Sequence, residues 1–377
     1  MENSSRKHLH IIAFDIPFPA NYGGVIDVFY KLVHLKEAGV ETILHCFEYG
    51  DRKPSPELAK LCHKVYYYKR KTGLLSQLST KPYIVASRES EQLLKNLQLD
   101  DYPILFEGLH TCSLINHKAL WHRFKIYRES NIEHQYYLHL AKSTKKILSK
   151  AYFILESAIL WYFQKKLEHA DLMLVVSKSD TSYLQNKFPT RRVVYLPSFH
   201  PNNEVSSKPG KQSFALYHGK LSVAENLQAA EYLIKDVFSK NTLPFVIAGL
   251  NPPASLYKLS EPYSNIKIIA NPTDDQLFDL LETAHVNVLV TFQPTGLKLK
   301  LLNTLFKGKY CLVNSTMLVG TNLHSLCSIG NTAAELNDKL IGLFKMNFGP
   351  EEIAERKNLL EKDFSNYNNI NTLLNYL

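Results

Sequence analysis

Val286-Asn287-Val288-Leu289-Val290-Thr291 is an apolar run of strand character, and two residues later comes Pro294-Thr295-Gly296-Leu297-Lys298-Leu299-Lys300-Leu301-Leu302-Asn303. The second stretch enters a helix predicted over residues 300–306, which Gly308 ends, and residues 310–313 read as another strand. The order is strand, glycine-containing loop, helix N-terminus, strand. A helix N-terminus offers unpaired amide N–H groups and the positive end of the helix dipole. With Lys298 and Lys300 beside it, this turn is an anion site, and a phosphate or diphosphate is its natural occupant.

The same alternation runs outward in both directions. Residues 8–14 form a short apolar strand, ended by Pro17 and Pro19. Asn21-Tyr22-Gly23-Gly24 opens an amphipathic helix over 25–38, closed by Gly39, and residues 41–47 give the next strand. This is a βαβ opening, with glycines where a ligand can approach backbone. Further strands are predicted at 64–68, 103–106, 125–127 and 172–176. A long helix over 145–169 carries Ile147, Leu148, Ala151, Ile154, Leu155 and Ala158 at helical spacing, and that stripe is expected to face the first domain's core. Its apolar run, 151–163, holds Glu156 and is too short to span a bilayer.

Residues 196–210 are polar and rich in Pro, Asn and Ser, the composition of an inter-domain linker. A second series follows: strand 214–217, turn His218-Gly219-Lys220, helix 225–238, strands 244–248 and 266–269, helix 274–283, strand 287–291. The chain closes with a helix over 350–364 and an Asn-rich tail. Strands alternating with helices argue parallel sheets covered on both faces. The fold class is therefore α/β, with two Rossmann-like domains facing a cleft. The boundaries are 1–198 for the first domain, 212–350 for the second, and 351–377 for the terminal helix and tail.

A chain of 377 residues is too long for one core. Its five cysteines are scattered, with no CxxC and no zinc spacing, which points to reduced thiols and a cytoplasmic protein. The polar start, residues 1–8, has no signal-peptide pattern. Residues 1–204 hold 28 Lys and Arg against 20 Asp and Glu, a net of +8; the remainder holds 16 against 15, a net of +1. The first half is thus expected to meet an anionic membrane surface or a lipid diphosphate, through Lys142, Lys145, Lys146, Lys150 and the 64–71 region with Tyr66, Tyr67 and Tyr68. No nucleic-acid motif accompanies the basic charge, and nucleic acid is not expected as a partner.

Three loops lie where parallel sheets bind ligands, at the carboxyl ends of strands: Gly23-Gly24, Gly219-Lys220 and 295–300. There is no GxGxxG and no GxxxxGK[ST], which disfavours dehydrogenases and P-loop enzymes. There is no DxD, so no metal is expected on a diphosphate; lysines and helix dipoles would neutralise it instead. His110 follows a strand and is placed to face a substrate or to satisfy a loop carbonyl.

The chain resembles GT-B glycosyltransferases, and is similar to the family-4 retaining enzymes over nearly its whole length. Phe18 to Gly24 resembles the family's P-x-x-GG turn, and Tyr217 to Leu227 its G-[RK]-L-S-x-x-K-N-L segment. Thr295 to Asn303 resembles its E-x7-E loop and helix in the variant G-x-K-x-K-L-L-E, and Arg128 to Tyr137 the R-x-H-N-I-E-H-x-Y-Y stretch of one branch. Departures are Ser130 for His, Glu225 for the second donor-phosphate base, and Thr295 and Asn303 for both glutamates.

The resemblance implies a UDP- or GDP-linked sugar bound by the second domain, a glycan or lipid-linked acceptor bound by the first, and no further cofactor. It assigns Gly23, Gly24, Gly219, Lys220, Thr295, Gly296, Leu297, Lys298, Lys300 and Asn303 to the donor. It assigns Lys220 and Lys298 to catalysis, to which His110 is added from its place after a strand, and Arg128, Asn131 and Glu133 to the acceptor side. The alternative role for Arg128 and Glu133 is to pair with each other and shape the cleft. Two alternatives stand beside a transferase: a weakened GT-B protein that binds a nucleotide sugar or supports a partner, and a sugar-nucleotide epimerase. The latter wants cleft carboxylates and histidines that the sequence does not display.

Overall fold

The computed structural model describes residues 7–73, 79–144, 146–293 and 299–377. Thr295, Gly296, Leu297 and Lys298 of the decisive loop, and Lys145, lie outside the described residues. The chain divides into two compact units, the first mainly residues 1–200 with 366–377, the second mainly 201–294 with 298–365.

The first unit is built on seven strands: β1 His8–Ala13, β2 Glu41–Glu48, β3 Lys64–Lys69, β4 Ile104–Glu107, β5 Lys125–Glu129, β6 Leu172–Val175 and β7 Arg192–Tyr195. They pair in parallel in the order β3-β2-β1-β4-β5-β6-β7. Successive side chains point to opposite faces, and both faces are covered, so the central strands read as unbroken apolar runs. Ile12, Phe106, Tyr127 and Met173 enter one core. Ile11, Leu44, Leu105 and Ile126 enter the other, together with Ile370 and Leu373 of the terminal helix Asn366–Leu374.

The second unit has β8 Ala215–Lys220, β9 Phe245–Leu250, β10 Ile266–Ala270, β11 Val286–Leu289, β12 Tyr310–Val313 and β13 Ser328–Ile329. The order is β10-β9-β8-β11-β12-β13, again parallel. Tyr217, Ile247, Val286, Val288 and Leu312 form its main core. The helix expected over 225–238 is α-helical at Ala224–Tyr232, then takes a π-helical turn at Leu233–Val237.

Two expectations are corrected here. The helix Ile147–Phe163 packs on the first unit through the opposite face from the one expected: Glu156, Ser157, Leu160 and Phe163 are buried. Ile147 and Leu148 are 83% and 87% exposed, and Ala151, Ile154, Leu155 and Ala158 are exposed with them. Helical spacing defines a stripe but not its direction. Second, Arg128 pairs with Asp27 and not with Glu133. Its guanidinium grips both Asp27 oxygens at 3.1 Å and donates to the carbonyls of Leu196 and Pro197 at 2.5 and 3.0 Å. Lys31 joins from one helical turn on, at 3.2 Å from Asp27 and 2.5 Å from Glu107. The Phe199 N–H donates to Asp27 at 2.7 Å. All four charged residues are buried. Burial opposes the Asp27 charge, but Arg128 and Lys31 outweigh it and hold the carboxyl down at about 2. This network ties the helix Gly23–Glu37 to the segment that leaves the sheet after β7.

Candidate active site

In the second unit the sequence brings two glycines together at the carboxyl ends of β8 and β9. A Cβ on Gly249 would fall 2.0 Å from the Gly219 carbonyl oxygen, so the two strands run closer there than any side chain permits. A Cβ on Gly219 would come 3.1 Å from the Asn226 amide carbon. That amide is the hub of the turn. Asn226 donates from Nδ2 to the Lys220 carbonyl at 3.1 Å, and its Oδ1 accepts from Lys300 Nζ at 3.1 Å. The Tyr217 hydroxyl donates to the Asn226 carbonyl at 3.0 Å, and Lys300 Nζ stands 5.3 Å from the Tyr217 ring centre. Lys300, in the first turn of the helix Leu299–Lys307, is thereby held at the end of β8. The Lys220 side chain is exposed at the same end.

His218 lies beneath, buried, with Nε2 3.5 Å from Thr304 Oγ1. Burial, and then the Lys300 charge, push its pKa down to about 3, so it is neutral at neutral pH and adds no charge. Glu225 accepts from the Thr291 hydroxyl at 2.6 Å. Asn314 binds the Thr291 backbone on both sides, accepting from its N–H at 3.1 Å and donating to its carbonyl at 2.7 Å. The chain past β11 is thus fixed up to where the 294–298 loop begins. Asn303 is half-buried, and its Oδ1 accepts from Asn202 at 2.9 Å. Among the described residues, no group of three or more His, Cys, Asp or Glu is arranged to hold a metal ion.

In the first unit, Gly24 sits against the Phe14 ring, where a Cβ would come within 2.5 Å of Cζ; Gly23 faces open space. Phe14 also packs on the His110 imidazole, ring centres 5.2 Å apart. Gly108, in the left-handed region at φ 71°, leads out of β4; a Cβ there would meet His110 Nδ1 at 3.1 Å and Ser130 Oγ at 3.9 Å. His110 shows a fifth of its side chain, but Nδ1 is buried without a hydrogen bond. Burial, then the charges of Arg88 and Arg70, keep the ring neutral. Glu133 lies 3.8 Å away, too far for a hydrogen bond. Burial raises its carboxyl to about 8 against the pull of Arg88. The pair is therefore two neutral groups at pH 7 and not an ion pair. Arg88 is anchored on the Phe14 and Ile84 carbonyls at 2.8 and 2.7 Å. Asn131 is half-buried between β5 and the helix Glu133–Ser143.

The structure therefore brings Gly219, Lys220 and Lys300 together in the second unit, and His110 and Glu133 in the first. Arg128 belongs to the buried network. Sequence reasoning missed Asn226 as the hub and Glu129, a fully buried acid with both carboxyl oxygens unpartnered, which burial, then Asp180 and Glu133, push well above the ordinary range. Asn226 was within the quoted motif; Glu129 carries no signal beyond ending a strand.

No family model matches the chain. A Klebsiella pneumoniae protein, described as an uncharacterized 44.6 kDa protein in cps region, is 24% identical over 369 residues, 91% of this chain and 92% of its own. Among solved structures, TarM of S. aureus, in complex with Fondaparinux, alpha-GlcNAc-glycerol and UDP, superposes with a TM-score of 0.66 at 10% identity, covering 98% of this chain and 99% of its own. HepE of Anabaena, in complex with UDP and glucose, gives 0.66 at 10% identity, with 99% and 100% covered. A UDP-forming alpha,alpha-trehalose-phosphate synthase from Burkholderia xenovorans, in complex with glucose-6-phosphate, gives 0.65 at 11%, with 98% and 99% covered. The two parallel-sheet α/β units, of seven and six strands, match these structures over nearly their whole length, and the fold is GT-B.

Proposed function

We propose that the chain is a glycosyltransferase that moves a sugar from a UDP- or GDP-linked donor to a glycan or lipid-linked acceptor, with retention and without a metal. The observation that carries this is the basic turn at the end of β8, where Asn226 ties the Lys300 ammonium to the Lys220 backbone. Ligands of parallel sheets bind at that end of the strands. Positive charge fixed there stabilises a departing nucleoside diphosphate without reorganising during the reaction. Lys298 and the Thr295-Gly296-Leu297 stretch, which lie outside the described residues, are assigned to the donor in this reading.

In this reading the acceptor hydroxyl oxygen bonds to the anomeric carbon as the bond from that carbon to the donor phosphate oxygen breaks. The hydroxyl proton passes to the departing phosphate on the same face. The first unit serves the acceptor: neutral His110, protonated Glu133 and Asn131 offer hydrogen bonds to hydroxyl groups without imposing charge. Asn303, held by Asn202, offers its amide to the donor's ribose. The relatives support the donor class, since the TarM and HepE complexes contain UDP. An enzyme at a lipid-linked acceptor would work in the cytoplasm at a membrane surface, in polysaccharide synthesis. A binding module without turnover is not favoured, because the structural relatives include a UDP-forming synthase.

Calorimetry with UDP and GDP, together with donor hydrolysis assays, tests the proposal. Lys300→Ala should lower turnover about a hundredfold, roughly the value of one positioned charge on a leaving group. Unchanged nucleotide affinity and turnover in Lys300→Ala and Lys220→Ala, or a divalent ion required on the diphosphate, would overturn it.

A further inference from the structure

The helix Ile147–Phe163 leaves a continuous apolar face toward solvent. Ile147, Leu148, Ala151, Ile154, Leu155, Ala158, Trp161 and Tyr162 are all exposed. At ~100° per residue they fall within about 140° of the helix circumference, with no polar residue among them. Leu148 is 87% exposed, Leu155 61%, Tyr162 68% and Trp161 50%. Isolated exposed apolar residues are ordinary, but an unbroken face of this width is not.

Its charge surroundings identify the occupant. Residues 138–166 contain six lysines, Lys142, Lys145, Lys146, Lys150, Lys165 and Lys166, and one acidic residue, Glu156. Glu156 is turned inward, where its carboxylate accepts from the Tyr83 N–H at 3.1 Å. Lys142, Lys146 and Lys150 are exposed at one end of the face, and Lys165 stands over the Trp161 and Tyr162 rings at the other. Among the described residues, no helix is long and apolar enough to cross a membrane. A helix of this make-up, with indole and phenol at one end and ammonium groups at both, lies in the plane of a lipid headgroup layer.

We propose that this face seats the first unit on an anionic membrane by shallow insertion of Leu148, Leu155 and Trp161 between headgroups, with the flanking lysines on lipid phosphates. The inference deepens the lipid-linked reading of the acceptor and rests on it for its purpose, not for its physics. It also moves the contact away from β3. Tyr68 there is buried and accepts a hydrogen bond from the Asn96 amide, and Tyr67 accepts from the Ser55 N–H.

The test uses the full chain with vesicles of equal parts phosphatidylglycerol and phosphatidylcholine, and with phosphatidylcholine alone. The chain has two tryptophans, so Trp121→Phe leaves Trp161 as the only indole reporter. Co-sedimentation with anionic vesicles should be accompanied by a blue shift of Trp161 emission. Leu148→Gln with Leu155→Gln should weaken partitioning about a hundredfold, since two leucines no longer leave water. Lys146→Gln with Lys150→Gln should weaken it about thirtyfold at low salt and little at high salt. Unchanged partitioning of the leucine variant, sedimentation without an emission shift, or a dimer that the leucine variant splits while vesicles are ignored would overturn the proposal. UDP calorimetry on the same variants reads the fold and the donor site separately, so failure at the membrane is not confused with failure of the transferase reading.

Discussion

The two units invert each other. In the first, an apolar helix face looks outward at Ile147–Phe163, while four charged side chains, Asp27, Lys31, Glu107 and Arg128, are sealed inside. In the second, the helix Leu299–Lys307 turns its stripe inward, with Leu301, Leu302 and Leu305 fully buried, and Lys300 in its first turn lies at the site. Both helices have apolar residues at regular spacing. What differs is the partner available. Leu299–Lys307 connects two neighbouring parallel strands, β11 and β12, and must cover the sheet between them. Ile147–Phe163 packs on the helix Glu133–Ser143 through its polar and aromatic side, where the Ser157 hydroxyl donates to the His134 carbonyl at 2.7 Å. Amphipathic spacing therefore tells that a face is apolar and leaves open whether protein or another medium covers it.

The strongest break of this contrast is Arg128→Ala, which takes the guanidinium from a buried Asp27 carboxylate and leaves it only Lys31 and the Phe199 N–H. Such a loss costs about 3–5 kcal/mol, and chemical denaturation should show it. Loss of under about 1 kcal/mol would mean that water reaches the network. Leu302→Ala, on the inward stripe, should cost about 2–5 kcal/mol by the same measurement. Leu148→Ala, on the outward stripe, should stay within about 0.5 kcal/mol of the parent in the absence of lipid. Equal costs for the two leucines would erase the distinction between the helices.

A subtler sharpening is the pH dependence of Glu133. Its folded carboxyl titrates at about 8 against 4.5 as the ordinary value, so the folded state holds the extra proton between them. Its contribution is therefore full below pH 4.5 and is lost as pH rises toward 8. Glu133→Gln should remove a stability slope of at most about 1.4 kcal/mol per pH unit across that window. Parallel pH profiles for parent and variant would place Glu133 in water.

Much of the architecture is legible in the residues. Most strands are apolar runs bounded by Gly, Pro or Asn, and their alternation with helices dictates parallel sheets. Two strands are not. β7 spans four residues at the sheet edge, and β13 only two, both half-buried. The helix Ala333–Leu343 carries a buried Leu336, Leu340 and Leu343 at helical spacing, so it too is legible in its residues. The Asn-rich tail hides a helix because its asparagines substitute for backbone: Asn366 accepts from the His200 N–H at 3.2 Å and donates to its carbonyl at 2.8 Å. At the site, Lys220 and Lys300 are legible from their loops, whereas the hub role of Asn226 depends on the approach of two separate turns. Glu225, read as a departure from a donor base, instead braces Thr291.

The helix Asn366–Leu374 places Ile370 and Leu373 in a core shared with β1, β2 and β4. On the ribosome these residues are made after every residue of the second unit. The sheet begun first therefore waits, with one flank bare, until a helix made after the whole second unit can reach it. The half that is begun first is thus completed by residues that lie beyond the other half.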